Sequence, residues 1–276
     1  MPPLTVTDLF RFPVKSLRGH ALDHAAIGPR GIDGDRRWML IDQIGRFLTR
    51  REVPEMALFG VELDHDGLLI RHPVHGSCRI LRPEKNAANI NVTIWGDSVR
   101  VRATDDASAA YLSHALGRSV RLVYQGDETI RPVDPTFAAP GDQVSLSDGF
   151  PLLLVTKESL DALNAALAEP VAMARFRPNI VVTGADAWRE DHWRRIRIGT
   201  VTLRLPKPCS RCIITTQDPM SGSREHGNEP LSTLLRIGRM GKGGVMFGQN
   251  AIPENSGTIT TGDRIDILEE GASNLR

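Results

Sequence analysis

Apolar and polar residues alternate along much of this chain. In TVTDLFRFPV, LLIRHP, SVRVRAT, SVRLVY, RIRIGTVTLRLP and TITTGDRIDIL, apolar side chains recur at every second position over part of the run. A period of two predicts strands with one buried face, because successive side chains of an extended chain point to opposite sides. The arginines of VRVR and RIRIG then fall on the solvent face. Gly, Asp and Pro clusters interrupt these runs about every ten residues, as turns do.

Two stretches carry a helical period instead. DASAAYLSHALG, residues 106–117, opens on residues able to cap a helix and closes on Gly117, suited to a left-handed C′ position. KESLDALNAALAE, residues 157–169, sets Leu160, Leu163 and Leu167 on one face, with Pro170 just beyond. The Pro-rich RPVDPTFAAPGDQ, residues 131–143, reads as a linker or a long ordered loop. A domain boundary is placed just before it, giving domains of residues 1–125 and 126–276. Many strands with few helices predict a β-rich α+β protein of barrel-like build.

Composition adds mainly exclusions. The 276 residues suffice for one large domain or two small ones. A net charge of +1 offers no bulk electrostatic reason to bind nucleic acid or an anionic membrane. No apolar run approaches the ~20 residues that span a bilayer, and MPPLTVTDLF lacks the build of a signal peptide. A cytoplasmic protein without membrane association is expected. The three cysteines, Cys78, Cys209 and Cys212, argue against a disulfide scaffold. They also fall short of the four thiolates of an all-cysteine iron–sulfur cluster, so none is expected in this chain.

The sharpest chemical signal is KPCSRCIITTQDP, residues 207–219. Cys209 and Cys212 are spaced for a zinc site, but a second ligand pair is lacking: Cys78 is remote and no His pair has finger spacing. A redox dithiol normally sits on a strand-to-helix turn, whereas the β-branched IITT reads as a strand. Two small thiols packed beside a strand are the commonest fate of such a pair. Lys207 and Arg211 flank it, however, and positive neighbours favour the thiolate. One soft thiolate in basic surroundings suits a cofactor that brings most of its own ligands, as molybdopterin does with its dithiolene. Basic residues elsewhere suit its phosphate. PVKS holds Lys15 and Ser16, although a lone pair of this kind is ordinarily surface. GDRRWMLID holds Arg36 and Arg37, and RFRPNIVV holds Arg175, Arg177 and Asn179. A guanidinium grips phosphate in a two-point fork, and a carboxamide pairs with a pterin edge.

PVKS, GDRRW, SLSDGFPLLLVTKESL, RFRPNIVV, CSRC and ENSGTITTGDRIDIL occur in an order and spacing that resemble the MOSC family. The likeness spans about residues 4–268. It is to members that carry an N-terminal β-barrel domain, among them amidoxime-reducing and N-hydroxylaminopurine-detoxifying proteins. The resemblance implies an N-terminal β-barrel-like domain followed by a MOSC β-barrel domain, and a molybdenum cofactor. It makes Cys212 the molybdenum ligand and Cys209 a cysteine without metal. It sets Lys15, Ser16 and Arg36 on the pterin and its phosphate. Arg177, Asn179, Ser210 and Arg211 complete the cradle, with Asp148 close to the metal as a catalytic residue.

The implied activity is reduction of N-hydroxylated bases or amidoximes, the N–O oxygen passing to molybdenum. MOSC domains also occur fused to cofactor sulfurases, so the alternative is a carrier of the cofactor, or of persulfide sulfur, without turnover. Some bacterial relatives have a C-terminal ferredoxin-like domain and mitochondrial ones an N-terminal anchor. Neither is seen here. Electrons are therefore expected from a separate flavin or iron–sulfur protein. Arg224, Arg236, Arg239 and Lys242, in the variable stretch 219–246, are candidates to face it, although a solvated loop suffices for any one of them.

Overall fold

A computed structural model describes residues 3–275. Its main sheet grows from the alternating runs of the second half. Trp193–Ile198 pairs with Val201–Ser210, and Gly244–Pro253, Leu152–Thr156, Ile180–Thr183 and Thr5–Arg11 follow in that order. Ile265–Glu270 lies on the other side of Trp193–Ile198. The sheet curls until its sides meet. Thr5 bridges Arg264, Val6 N–H donates to Asp263 O at 3.0 Å, and Ile265 N–H donates to Leu4 O at 2.9 Å. Closure removes hydrogen-bonding edges, and inward side chains fill the interior. Val6, Leu9, Leu154, Ile180, Ile196 and Leu203 do so here, all fully buried. Burying each such side chain contributes about 1.5–3 kcal/mol.

This barrel draws on both ends of the chain. His20–Leu22 pairs with Thr5–Arg11, and His24–Gly28 pairs with Gly257–Thr260. The first 32 residues thus also build into the sheets of the second half. Residues 38–124 form the other unit. Trp38–Ile41, Arg121–Tyr124, Asp97–Ala103 and Asn89–Ile94 make a four-stranded sheet; Gly60–Leu63, Gly67–His72 and Gly76–Leu81 make a three-stranded one. Trp38 to Ile41 reads as an unbroken apolar run because both faces are covered. Trp38 and Leu40 pack with Leu68, Ile70 and Leu112, while Met39 and Ile41 pack with Val99, Val101 and Leu146.

Both helices appear where the period placed them. Asp106–Leu116 is capped by Asp105, which accepts from Ser108 N–H at 2.7 Å, and ends at left-handed Gly117. Lys157–Ala166 buries Leu160 and Leu163; Leu167 is already extended and lies beyond the helix. This helix joins the parallel strands Leu152–Thr156 and Ile180–Thr183, a βαβ unit that alternation alone did not disclose. The Pro-rich stretch is an ordered loop: Pro132 bridges Gln143, and buried Arg131 ties Asp97 of the first unit to the carbonyls of Ser145 and Ser147. The stretch 219–246 is partly regular, with a short helix Leu231–Arg236 and the strand Met240–Gly241.

IITT is not a strand. Ile213–Thr216 forms a 3₁₀ turn, because Thr215 Oγ1 donates back to Cys212 O at 2.9 Å and Thr216 Oγ1 to Ile213 O at 2.8 Å. Hydroxyls that bond to the backbone three residues earlier override the extended preference of β-branched residues.

Glu190 lies fully buried beneath the second helix. Ser159 Oγ donates to its Oε2 at 2.9 Å, while Oε1 has no partner. Burial raises its pKa above the ordinary carboxyl range. A raised folded-state pKa contributes stability below the unfolded value, about 4.3, that is lost as pH rises through the folded value. Glu190→Gln is therefore expected to melt higher than the parent at pH 8, with the gap closing at pH 4. Parallel melts at both pH values check this; a variant less stable at pH 8 contradicts it.

Candidate active site

Three tight chain reversals build one cleft. The chain leaves Thr5–Arg11, turns through Phe12 to Leu17, and is pinned by parallel bonding of Val14 to Trp38. Arg36 N–H donates to Phe12 O at 2.8 Å, and Leu146 N–H donates to Arg36 O at 2.9 Å. Arg177 ends the turn before Ile180–Thr183. Among the described residues, five other than glycine have positive φ, and Ser16 (68°), Arg36 (47°) and Arg177 (54°) are three of them. All three line the cleft. Each such conformation costs of order 1–3 kcal/mol and persists only where its surroundings enforce it, which marks functional sites.

Two of the arginines of the cleft share the ring of Phe12. Arg36 and Arg177 lie over its ring, 4.4 and 4.3 Å from the centroid. Arg36 Nη1 donates to Asp35 Oδ2 at 2.6 Å and to Asn179 Oδ1 at 3.0 Å. The Asn179 carboxamide also accepts from Leu153 N–H and donates to Phe10 O. Its bonds hold Arg36 and the barrel together, with Oδ1 taking two donors and one Nδ2 hydrogen engaged by Phe10 O. Lys15 is buried; its ammonium donates to Asp148 Oδ1 at 2.5 Å and to Leu146 O at 3.0 Å.

Cys209 and Cys212 flank the end of Val201–Ser210 and line the same cleft. Cys209 Sγ accepts from Arg211 Nη1 at 3.0 Å, and its side chain packs beside Leu153 and Phe176. Cys212 opens instead towards Arg51. Burial lowers the pKa of Arg51, but Cys212 and Asp148 beside it reverse that effect and raise it overall. Arg51 Nη2 lies 3.3 Å from Asp148 Oδ2. The carboxyl of Asp148 is penalised by its surroundings, yet Lys15 above all, with Arg51 and the Trp95 indole, holds it below the usual carboxylate range. Lys15 moves down through burial, against the opposing pull of Asp148.

Of the residues singled out from sequence, Lys15, Ser16, Arg36, Asp148, Arg177, Asn179, Arg211 and Cys212 converge here. Ser210 does not: it is exposed, and its hydroxyl donates to Gly243 O at 2.8 Å. Arg37 turns away to Gln125 O and Asp127. Lys207 lies over Phe137, 4.8 Å from the centroid, and is not among the lining residues. Arg239, one of the candidates to face a partner, is buried in a two-point pair with Asp191. None of Arg224, Arg236 and Lys242 lines the cleft. Arg51 and Thr49 were missed because LTRREVP carries no pattern; they arrive from the first unit only through folding.

Lys15, Arg36, Arg51, Arg175, Arg177 and Arg211 line the cleft against the single carboxylate of Asp148. Burial, and then the repulsion of Arg36 and Arg50, push the Arg177 pKa well down. Arg211 Nε is buried without a partner. Such unbalanced positive charge, with a soft thiol at its edge, fits an anionic, phosphate-bearing group whose metal takes a thiolate. Zinc has no comparable ligand set: among the described residues, the one metal-sized group is the exposed Asp64, His65 and Asp66.

Residues 3–119 match the MOSC N-terminal beta barrel domain and residues 141–266 match the MOSC domain. The chain is 33% identical to human mitochondrial amidoxime-reducing component 1, over 96% of this chain and 83% of that protein. It is 32% identical to human mitochondrial amidoxime reducing component 2, over 83% and 71% respectively. No helix among the described residues is long and apolar enough to cross a membrane. The chain therefore belongs to the MOSC family, among the members that join a MOSC N-terminal beta barrel domain to a MOSC domain.

Proposed function

We propose that this protein is a molybdenum-cofactor-dependent reductase of N-hydroxylated compounds, amidoximes and N-hydroxylated bases among them. The observation that carries the reading is the cleft itself, where six cationic side chains and the Cys212 thiol surround one ionised carboxylate. Relatives named for amidoxime reduction support the substrate class. Cys212 would hold the metal. Lys15, Arg177 and Arg211 would meet the phosphate and pterin, with Arg36 fixed for the same purpose by Asp35 and Asn179. When bound, the cofactor supplies the two-electron chemistry that cleaves the N–O bond.

The chain's own residues prepare that step. Asp148 stays ionised at neutral pH under the hold of Lys15 and Arg51, so it orients these cations and does not donate a proton. Arg51 keeps its charge between Asp148 and Cys212 and offers N–H donors to a substrate oxygen at that place. Electrons would come from a separate flavin or iron–sulfur protein.

Metal analysis of purified protein, followed by turnover of an amidoxime with reduced viologen, tests the reading. Molybdenum near one per chain with turnover is the expected result. Bound cofactor without turnover would favour a carrier, and zinc in place of molybdenum would overturn the assignment. The purified chain with NADH alone should be inactive.

A further inference from the structure

Trp95 stands against Arg51 and Asp148, two residues that line the cleft. It occupies the two-residue turn Trp95-Gly96 between the paired strands Asn89–Ile94 and Asp97–Ala103. A left-handed position in such a turn ordinarily falls to glycine. Here Trp95 takes it, at φ 56°, and the neighbouring Gly96 is not among the glycines with positive φ. The largest side chain therefore carries the strained conformation and stays 52% exposed. Hairpin tips tolerate small polar residues at less cost, so folding does not account for it.

The ring is nevertheless held firmly. Arg51 lies over it, 4.8 Å from the centroid, and Phe47 meets it edge-on at 5.3 Å. Phe47 in turn lies beneath the Lys15 ammonium at 5.4 Å. Trp95 thus adjoins Arg51 and Asp148, the two residues that connect the rim to Cys212. With Arg51 over one face and Phe47 at an edge, the remaining exposed surface of the indole offers a platform on which an aromatic ring can stack.

We infer that Trp95 is a substrate-binding residue that stacks the planar, conjugated part of aromatic N-hydroxylated substrates, with Arg51 and Asp148 flanking the N–O group. This rests on the reductase reading and deepens it: the preferred substrates carry an aromatic ring or heterocycle conjugated with the N-hydroxylated carbon. The platform belongs to the first unit and the thiol to the second, so the substrate bridges the two.

Trp95→Ala and Trp95→Phe, loaded with cofactor, would be compared with the parent on benzamidoxime and on acetamidoxime, which lacks the ring. For Trp95→Ala the expected result is a KM for benzamidoxime raised about five- to tenfold, with molybdenum content unchanged and any fall in kcat shared equally by the two amidoximes. Its KM for acetamidoxime should move less than about twofold, and Trp95→Phe should recover most of the loss. Equal KM increases for both amidoximes would show that Trp95 merely holds Arg51 and Asp148, and would overturn the inference. So would no change for either. Calorimetric binding of the two amidoximes separates this from failure of the reductase reading. If no amidoxime is turned over, tighter benzamidoxime binding by the parent than by Trp95→Ala, without the same gap for acetamidoxime, still supports the platform; equal binding overturns it.

Discussion

Cys212→Ser is expected to lower reductase activity by at least ~100-fold and to strip most of the molybdenum, whereas Cys209→Ser keeps much of both. Even outer partners of metal ligands typically cost about 10–100-fold when removed, and the ligand itself costs more. Serine offers a harder, protonated oxygen where a soft thiolate is wanted. The fold should survive, because the structural work of Cys212 is done by its carbonyl, which receives the Thr215 N–H and hydroxyl. Cys209 differs in surroundings. Its sulfur accepts one bond from Arg211 and packs against Leu153 and Phe176. A serine oxygen keeps that bond and loses only some packing. Molybdenum content and initial rates of both variants, set beside their melting temperatures, check the contrast. Equal loss from both substitutions would falsify the assignment of Cys212 as the metal ligand.

The second large effect concerns charge. Lys15→Ala and Arg177→Ala are expected to lower cofactor affinity about ten- to a hundredfold each, with little loss of apo-protein stability. A charge-assisted contact contributes about 1.5–3 kcal/mol, which converts to that range. In the cofactor-free protein the two cations differ. Arg177 is buried and repelled by Arg36 and Arg50, and Lys15 is buried with one carboxylate to balance it. Removing Arg177 relieves the repulsion and leaves the Leu17 carbonyl without its donor. The apo melting temperature of Arg177→Ala should thus equal or exceed that of the parent. Lys15→Ala leaves Asp148 with Arg51, a weaker pair at 3.3 Å, and its apo stability should fall slightly. Cofactor occupancy at fixed supply, with apo and loaded melts, separates binding from folding. Unchanged molybdenum in both variants would show that the charge of the cleft serves something else.

Strands, helices and the β-rich class were legible in the amino-acid sequence because each follows from a local period and its punctuation. Gly117 closes Asp106–Leu116 as its place after the helical stretch implied, while the cap itself is Asp105, one residue before that stretch. The site was legible as separate fragments, PVKS, GDRRW, RFRPNIVV and CSRC, since each sets its chemistry within a few residues. What the tertiary structure alone decided is where those side chains go. The IITT turn depended on hydroxyls finding nearby carbonyls, against the extended preference of its residues. Arg239 looks available in sequence, but Asp191 claims it in a two-point pair. Arg51 and Trp95 have no motif at all, and they reach the cleft because a hairpin and a loop of the first unit close over the barrel. Periodicity reports which side of an element is buried. Which remote group faces it depends on contacts separated by about half the chain or more, such as Lys15 with Asp148 and Arg36 with Asn179, and these exist only once the sheets have closed.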